Sequence, residues 1–128
     1  MTVSNYETIS SFCDTWASRD IDALMDFFAE DAVYHNIPMD PPNVGKDQIR
    51  GVIEMFMKDP DAVTFAIHHQ AESPDGVVLN ERTDTFHIGD HQIALRVMGT
   101  FELADGKITA WRDYFDMNQY LSQLPQPA

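Results

Sequence analysis

Hydrophobic positions change their spacing along this chain, from a helical repeat near the start to an alternating one over the second half. From Glu7 to Ala17, Ile9, Phe12, Cys13 and Trp16 recur three or four residues apart, which predicts a helix. Asp20 predicts the cap of a second helix that buries Ile21, Leu24, Met25, Phe27 and Phe28. Ala32 to Ile37 reads as a strand, stopped by Pro38, Pro41 and Pro42, because proline cannot donate to a ladder. Asp47 predicts the cap of a third helix through Ile49, Val52, Ile53, Phe56 and Met57, which Asp59-Pro60-Asp61 ends. Beyond it, Val63 to Ala71, Val77 to His87, Gln92 to Leu103 and Lys107 to Phe115 predict strands, separated by Pro74-Asp75-Gly76, Gly89-Asp90 and Asp105-Gly106. Such short turns imply consecutive antiparallel hairpins. A segment from Met117 to Leu124 precedes a Pro-rich tail, and no repeat or linker interrupts the chain. Helices followed by a meander predict an α+β fold, with residues 1–128 as one domain. A sheet of four or five strands covered by helices curls, and its concave side is where a pocket belongs.

Composition narrows the chemistry. With 8 Lys plus Arg against 21 Asp plus Glu, the formal charge of -13 disfavours nucleic acid and anionic membranes, whose binding rests on basic groups. A neutral ligand fits better. The single cysteine, Cys13, rules out an internal disulfide and a Cys-rich metal site, and its helical position reads as a small buried hydrophobe. The first ten residues lack a basic stretch followed by an apolar one, and no apolar run approaches the ~20 residues of a membrane span. These features predict a cytoplasmic protein.

The strand pattern breaks where charges fall on apolar parity. Val78, Asn80, Arg82, Asp84 and Phe86 share one face of their strand, and taken alone Arg82 and Asp84 read as a solvated surface pair. The last strand argues otherwise, because Thr109, Trp111, Asp113 and Phe115 share a face and set a carboxylate between two large aromatics. A buried carboxylate needs a cation or shifts its pKa upward, and its own strand offers no partner on that face. Arg82 is the candidate, since one guanidinium can hold both Asp84 and Asp113. Tyr34 and Asn36 share a parity of the first strand and both can bind water; equally, Tyr34 can pack in the core while Asn36 bonds a turn.

Taken together, Tyr34-His35-Asn36-Ile37-Pro38, Glu81-Arg82-Thr83-Asp84 and Trp111-Arg112-Asp113-Tyr114-Phe115-Asp116 resemble the limonene epoxide hydrolase family. The likeness extends to the order of elements and to Asp105-Gly106-Lys107-Ile108-Thr109 ahead of the last motif. It implies the cone-shaped fold of nuclear transport factor 2, a homodimer, and hydrolysis of an epoxide to a diol by direct attack of water, without metal or organic cofactor. It makes Asp113 the general base, Tyr34 and Asn36 the residues that position the water, Asp84 the acid, and Arg82 the bridge between carboxylates. His35 and Thr83, between motif residues, point off that site. The chain lacks the long N-terminal extension of the better-known member, and its apolar pocket residues differ.

Opening an epoxide in neutral water needs both a stronger nucleophile and an acid for the departing oxygen, and each proton transfer contributes about 10²–10⁴-fold. Two close carboxyls sharing one proton supply both. His68 and His69 point to opposite faces, and His35, His87 and His91 show no ligand spacing, so a metal is not expected. Most methionines and phenylalanines belong to the core; Met39, Met55, Phe56 and Met98, with Trp111 and Phe115, are the candidates for an apolar wall that suits a lipophilic epoxide. Two other classes compete: a ketosteroid isomerase or polyketide cyclase on the same fold, which would carry Asp where this chain has Asn36, and a non-enzymatic module binding an apolar ligand, which would not need three buried charges.

Overall fold

A computed structural model describes residues 3–124, and the Pro-rich tail lies outside them. Helix α1 (Asn5–Thr15) starts at Ser4, whose side chain accepts from the Glu7 amide, and runs into a short 3-10 turn over Trp16–Ser18. Ile9, Phe12, Cys13 and Trp16 are its buried face. Helix α2 (Ile21–Met25) is capped by the Asp20 side chain on the Ala23 amide.

Three expectations need correction here. The second helix stops at Met25, and Phe28 opens strand β1 (Phe28–Asn36), which is longer than the predicted 32–37. Ala29, Glu30 and Asp31 hide this strand because they are poor strand formers and sit at a register shift between Phe28 and Val33. A two-residue strand, β2 (Asn43–Val44), follows, too short to carry any periodicity. Helix α3 (Lys46–Lys58) is capped by Gly45 at φ 87°, with Asp47 inside the first turn; the Gln48 side chain reaches back to the Val44 amide.

The remaining strands are β3 (Ala62–Glu72), β4 (Val78–Ile88), β5 (His91–Ala104) and β6 (Lys107–Tyr114), before helix α4 (Met117–Leu121). All six strands form one sheet in the order β2-β1-β6-β5-β4-β3. β1 runs parallel to β6 and every other pair is antiparallel, so the sheet is mixed. Register shifts in β3 between Ile67 and His69, and between β5 and β6 near Glu102, help it to curl. The side chains of β3 to β6 that face the helices build the core with α1 and α3: Phe12 meets Phe101 and Trp111 edge-on, and Trp16 stacks on Phe65 at 4.3 Å. Among the described residues no helix is long and apolar enough to cross a membrane.

Candidate active site

The pleat sends alternate residues of β4 inward, and this delivers Asn80, Arg82 and Asp84 to the core side at 2%, 0% and 4% exposure. Two strands away, β6 delivers Trp111 and Asp113 by the same alternation, and β1 delivers Tyr34 and Asn36. Strand register aligns these groups in two rows across the sheet. One row runs Val78, Phe101, Trp111, Tyr34; the next runs Asn80, Gly99, Asp113, Asn36.

Arg82 ties the rows together. Its Nε and Nη2 donate to the two oxygens of Asp84 at 2.9 Å each, and Nη2 also donates to Asp113 Oδ2 at 2.8 Å. Nη1 donates to Asn80 Oδ1 at 3.0 Å. The guanidinium carbon lies 5.0 Å from the Phe65 ring centroid and 5.9 Å from that of Phe101. Burial disfavours its charge, but Asp113 and Asp84 outweigh that and hold Arg82 well above its ordinary value. Asp113 takes a second donor, the Trp111 indole N–H, on Oδ1 at 2.6 Å. Asp84 is pushed the other way from a normal ion pair: burial raises it from 3.8 to about 6, against the pull of Arg82 and with the help of the Asp113 charge. Near neutrality this carboxyl exists in both protonation states.

Tyr34 stacks on Trp111 at 3.9 Å and donates its hydroxyl to Asn36 Oδ1 at 3.1 Å. Burial, reinforced by Asp113, raises the phenol well above its usual value, so Tyr34 remains a neutral donor and acceptor. Two carboxylates on one buried cation, with a phenol and an amide aligned beside one of them, can divide a proton transfer into a donating and an accepting end. Cys13 is buried nearby with its thiol pushed up to about 12 by burial, and behaves as an inert small hydrophobe.

His35 turns away to Asp40 and Thr83 to His68, so neither enters this cluster. The apolar candidates divide. Trp111 is part of the cluster, Phe115 is half-buried just beyond β6, and half-buried Phe56 meets Phe86 at 6.4 Å. Met39, Met55 and Met98 are corrected, being 43%, 71% and 49% exposed. Met39 sits in the turn after β1; Met55 lies off the Ile49, Ile53, Met57 stripe of α3; Met98 has the outward parity of β5. The inward parity of β5 instead presents Ile93, Leu95 and Val97, opposite Phe86, Asp84 and Arg82. Sequence reading also passed over Asn80 and Gly99. Asn80 shares the parity of Arg82, and a glycine inside a strand marks a close approach, so both signals were present.

The comparisons with known proteins follow the same pattern. The family model of the limonene-1,2-epoxide hydrolase catalytic domain matches residues 3–126. Epoxide hydrolase EphG of Mycobacterium tuberculosis (strain ATCC 25618 / H37Rv) is 33% identical over 113 residues, which span 85% of this chain and 71% of that protein. The solved structure of an LEH-like epoxide hydrolase from M. tuberculosis is similar at a TM-score of 0.77 and 29% identity, over 94% of this chain and 88% of that one. A Catenulispora acidiphila protein with a ketosteroid isomerase-like fold reaches a TM-score of 0.81 at 23% identity, over 94% of this chain and 98% of that one, a likeness of fold alone.

Proposed function

The chain belongs to the limonene-1,2-epoxide hydrolase family, and from that premise we propose that it converts an apolar epoxide to a vicinal diol by attack of water. The observation that carries this reading is the buried Arg82 holding Asp84 and Asp113 at once. Asp113 is the general base that takes a proton from the attacking water. Tyr34 and Asn36 position that water: the Asn36 oxygen is engaged by Tyr34, leaving the Asn36 amide nitrogen to donate and the Tyr34 oxygen to accept. Asp84 is the acid. Its burial favours the protonated form, which delivers a proton to the epoxide oxygen as the ring opens. Arg82 orients both carboxyls and stabilises the ionised one. The burial of the site suits a neutral, lipophilic substrate of small to medium size, walled by Leu95, Val97 and Phe86. A second copy of the chain pairs on the outward face of the sheet, where Leu79, Met98 and Tyr114 are exposed.

The test is diol formation from terpene, aryl and long-chain epoxides, comparing the wild type with Asp113→Asn, which keeps size and removes the base. Diol from the wild type and a loss of at least ~100-fold in the variant supports the reading. Absence of diol from every epoxide, with the protein folded, turns it toward the isomerase, cyclase or binding alternatives. A single turnover in isotopically heavy water places the label in the diol; label appearing first in Asp113 or Asp84 overturns direct attack.

A further inference from the structure

Arg82 projects from β4, yet one of its two carboxylate partners stands on β6, with the whole of β5 between them. Neighbouring strands are about 4.8 Å apart, so the guanidinium must lie across β5 to make this bridge. An ordinary residue at the crossing point would fill that path. The crossing point is Gly99, register partner of Asn80 on one side and of Asp113 on the other. A Cβ on Gly99 would overlap Arg82 Nη1 and lie 2.9 Å from Asp113 Oδ1 and 3.0 Å from Asn80 Oδ1. Gly99 has no positive φ, so its backbone conformation does not call for glycine. The missing side chain is needed for space alone.

The other wall of that space is Asn80. Its Oδ1 accepts from Arg82 Nη1, the guanidinium nitrogen that reaches neither aspartate. Its Nδ2 donates to Gln70 Oε1 at 3.0 Å on β3, and Gln70 Nε2 donates to Ser10 Oγ at 2.9 Å and the Tyr6 carbonyl at 3.1 Å on α1. The amide of Asn80 is therefore held from behind and cannot turn its oxygen away without losing these bonds. Helix α1 and two strands fix one acceptor, and that acceptor fixes one end of a planar cation.

We propose that Gly99 and Asn80 form a seat for Arg82 Nη1 that sets where the guanidinium lies between Asp84 and Asp113, making both of them positioning residues of the hydrolytic site. This deepens the hydrolase reading and rests on it. Because the guanidinium is rigid, its Nη1 end cannot rise off the sheet without tilting the Nη2 end that touches both carboxylates.

The experiment compares Gly99→Ala with the wild type in two measurements: kcat and KM for diol formation, and the carbon-13 titration of the Asp84 carboxyl by NMR. A displaced guanidinium lowers kcat on the order of 100-fold with KM changed less than about threefold. It also removes the cation that opposes burial at Asp84, and moves that titration upward by roughly one pH unit or more. A merely structural role lowers the melting temperature and leaves the titration in place. Folded Gly99→Ala with wild-type kcat and an unmoved Asp84 titration overturns the seat. Should Gly99→Ala not fold, Asn80→Ala decides by the same two measurements, with the same signs. A wild type that makes no diol sinks the hydrolase reading instead, and the Asp84 titration in the variants still decides the seat.

Discussion

Trp111 gives Asp113 its second hydrogen bond, and its ring stands stacked between Tyr34 and Phe101. Trp111→Phe keeps the stack and removes the N–H. A hydrogen bond to a charged group contributes about 1.5–3 kcal/mol, so we expect a loss of that order in urea denaturation, with kcat lowered about tenfold. An unchanged kcat would show that Arg82 alone orients the base. The protonation of Asp84 gives a second expectation. In its proposed role as acid, Asp84 works only while it holds its proton, and burial raises its pKa to about 6. Thus kcat/KM, which reports the free enzyme, falls as pH rises above about 6 and levels off below it on this limb. A limb that rises instead assigns the acid to another group. At this scale much of the site was legible in the sequence. Asp113 stood out because it interrupts an aromatic face, whereas Arg82 and Asp84, which alone read as a solvated surface pair, were drawn in by the cation that a buried Asp113 needs. Gly99 gave only half a signal: a glycine inside a strand marks a close approach, but a sequence does not show that the approaching group is the Arg82 side chain of another strand.

The elements explain both the hits and the misses. Strands β3 to β6 were legible because each is long and alternates over most of its length, and because turns with Gly and Asp separate them. β1 was half-read, since its first residues are acidic or small and its ladder is broken by a register shift. Of the methionine wall, Met39 lies in a turn and Met55 off the buried stripe of α3, while Met98 failed through parity: a one-residue step along a strand moves a side chain to the other face of the sheet. Met98 and Val97 are adjacent, but Met98 is 49% exposed and Val97 only 3%. Replacing Val97 with Ala is expected to change KM across a series of epoxides of increasing size by severalfold. Met98→Ala should leave kcat and KM for the same series within error of the wild type. The reverse ranking would mean that substrate reaches the site from the opposite side of the sheet.

Across the whole molecule, the surplus of acidic residues and the exposed apolar side chains on the outward face of the sheet pull in opposite directions. A net charge of -13 keeps copies apart, whereas Leu79, Met98 and Tyr114, each more than two-fifths exposed, invite pairing. Met98 lies beside Tyr114 in register and Glu81 on its other flank, so apolar contact is concentrated at β5 and β6. Sedimentation equilibrium should give twice the 14.6 kDa chain mass for the wild type. Met98→Glu should give the monomer mass, because each protomer then brings a charge into the contact. A monomeric wild type disposes of this face as an interface. A neutral epoxide carries no charge for the acidic surface to steer, so this excess shapes association and solubility and leaves the chemistry to the buried cluster.

The parallel pairing of β1 with β6 also has a consequence in time. Tyr34 and Asn36 belong to the first strand of the chain, and their partners Trp111 and Asp113 to the last. Loop closure over so much chain is slow, and contacts of this kind form late. The hairpins of β3, β4 and β5 can form locally and bring Arg82 and Asp84 together while Asp113 is still missing. During synthesis, the growing chain thus carries Arg82 and Asp84 without Asp113 for as long as the ribosome takes to deliver β6, and the buried cluster is completed only in the step that joins β6 to the sheet.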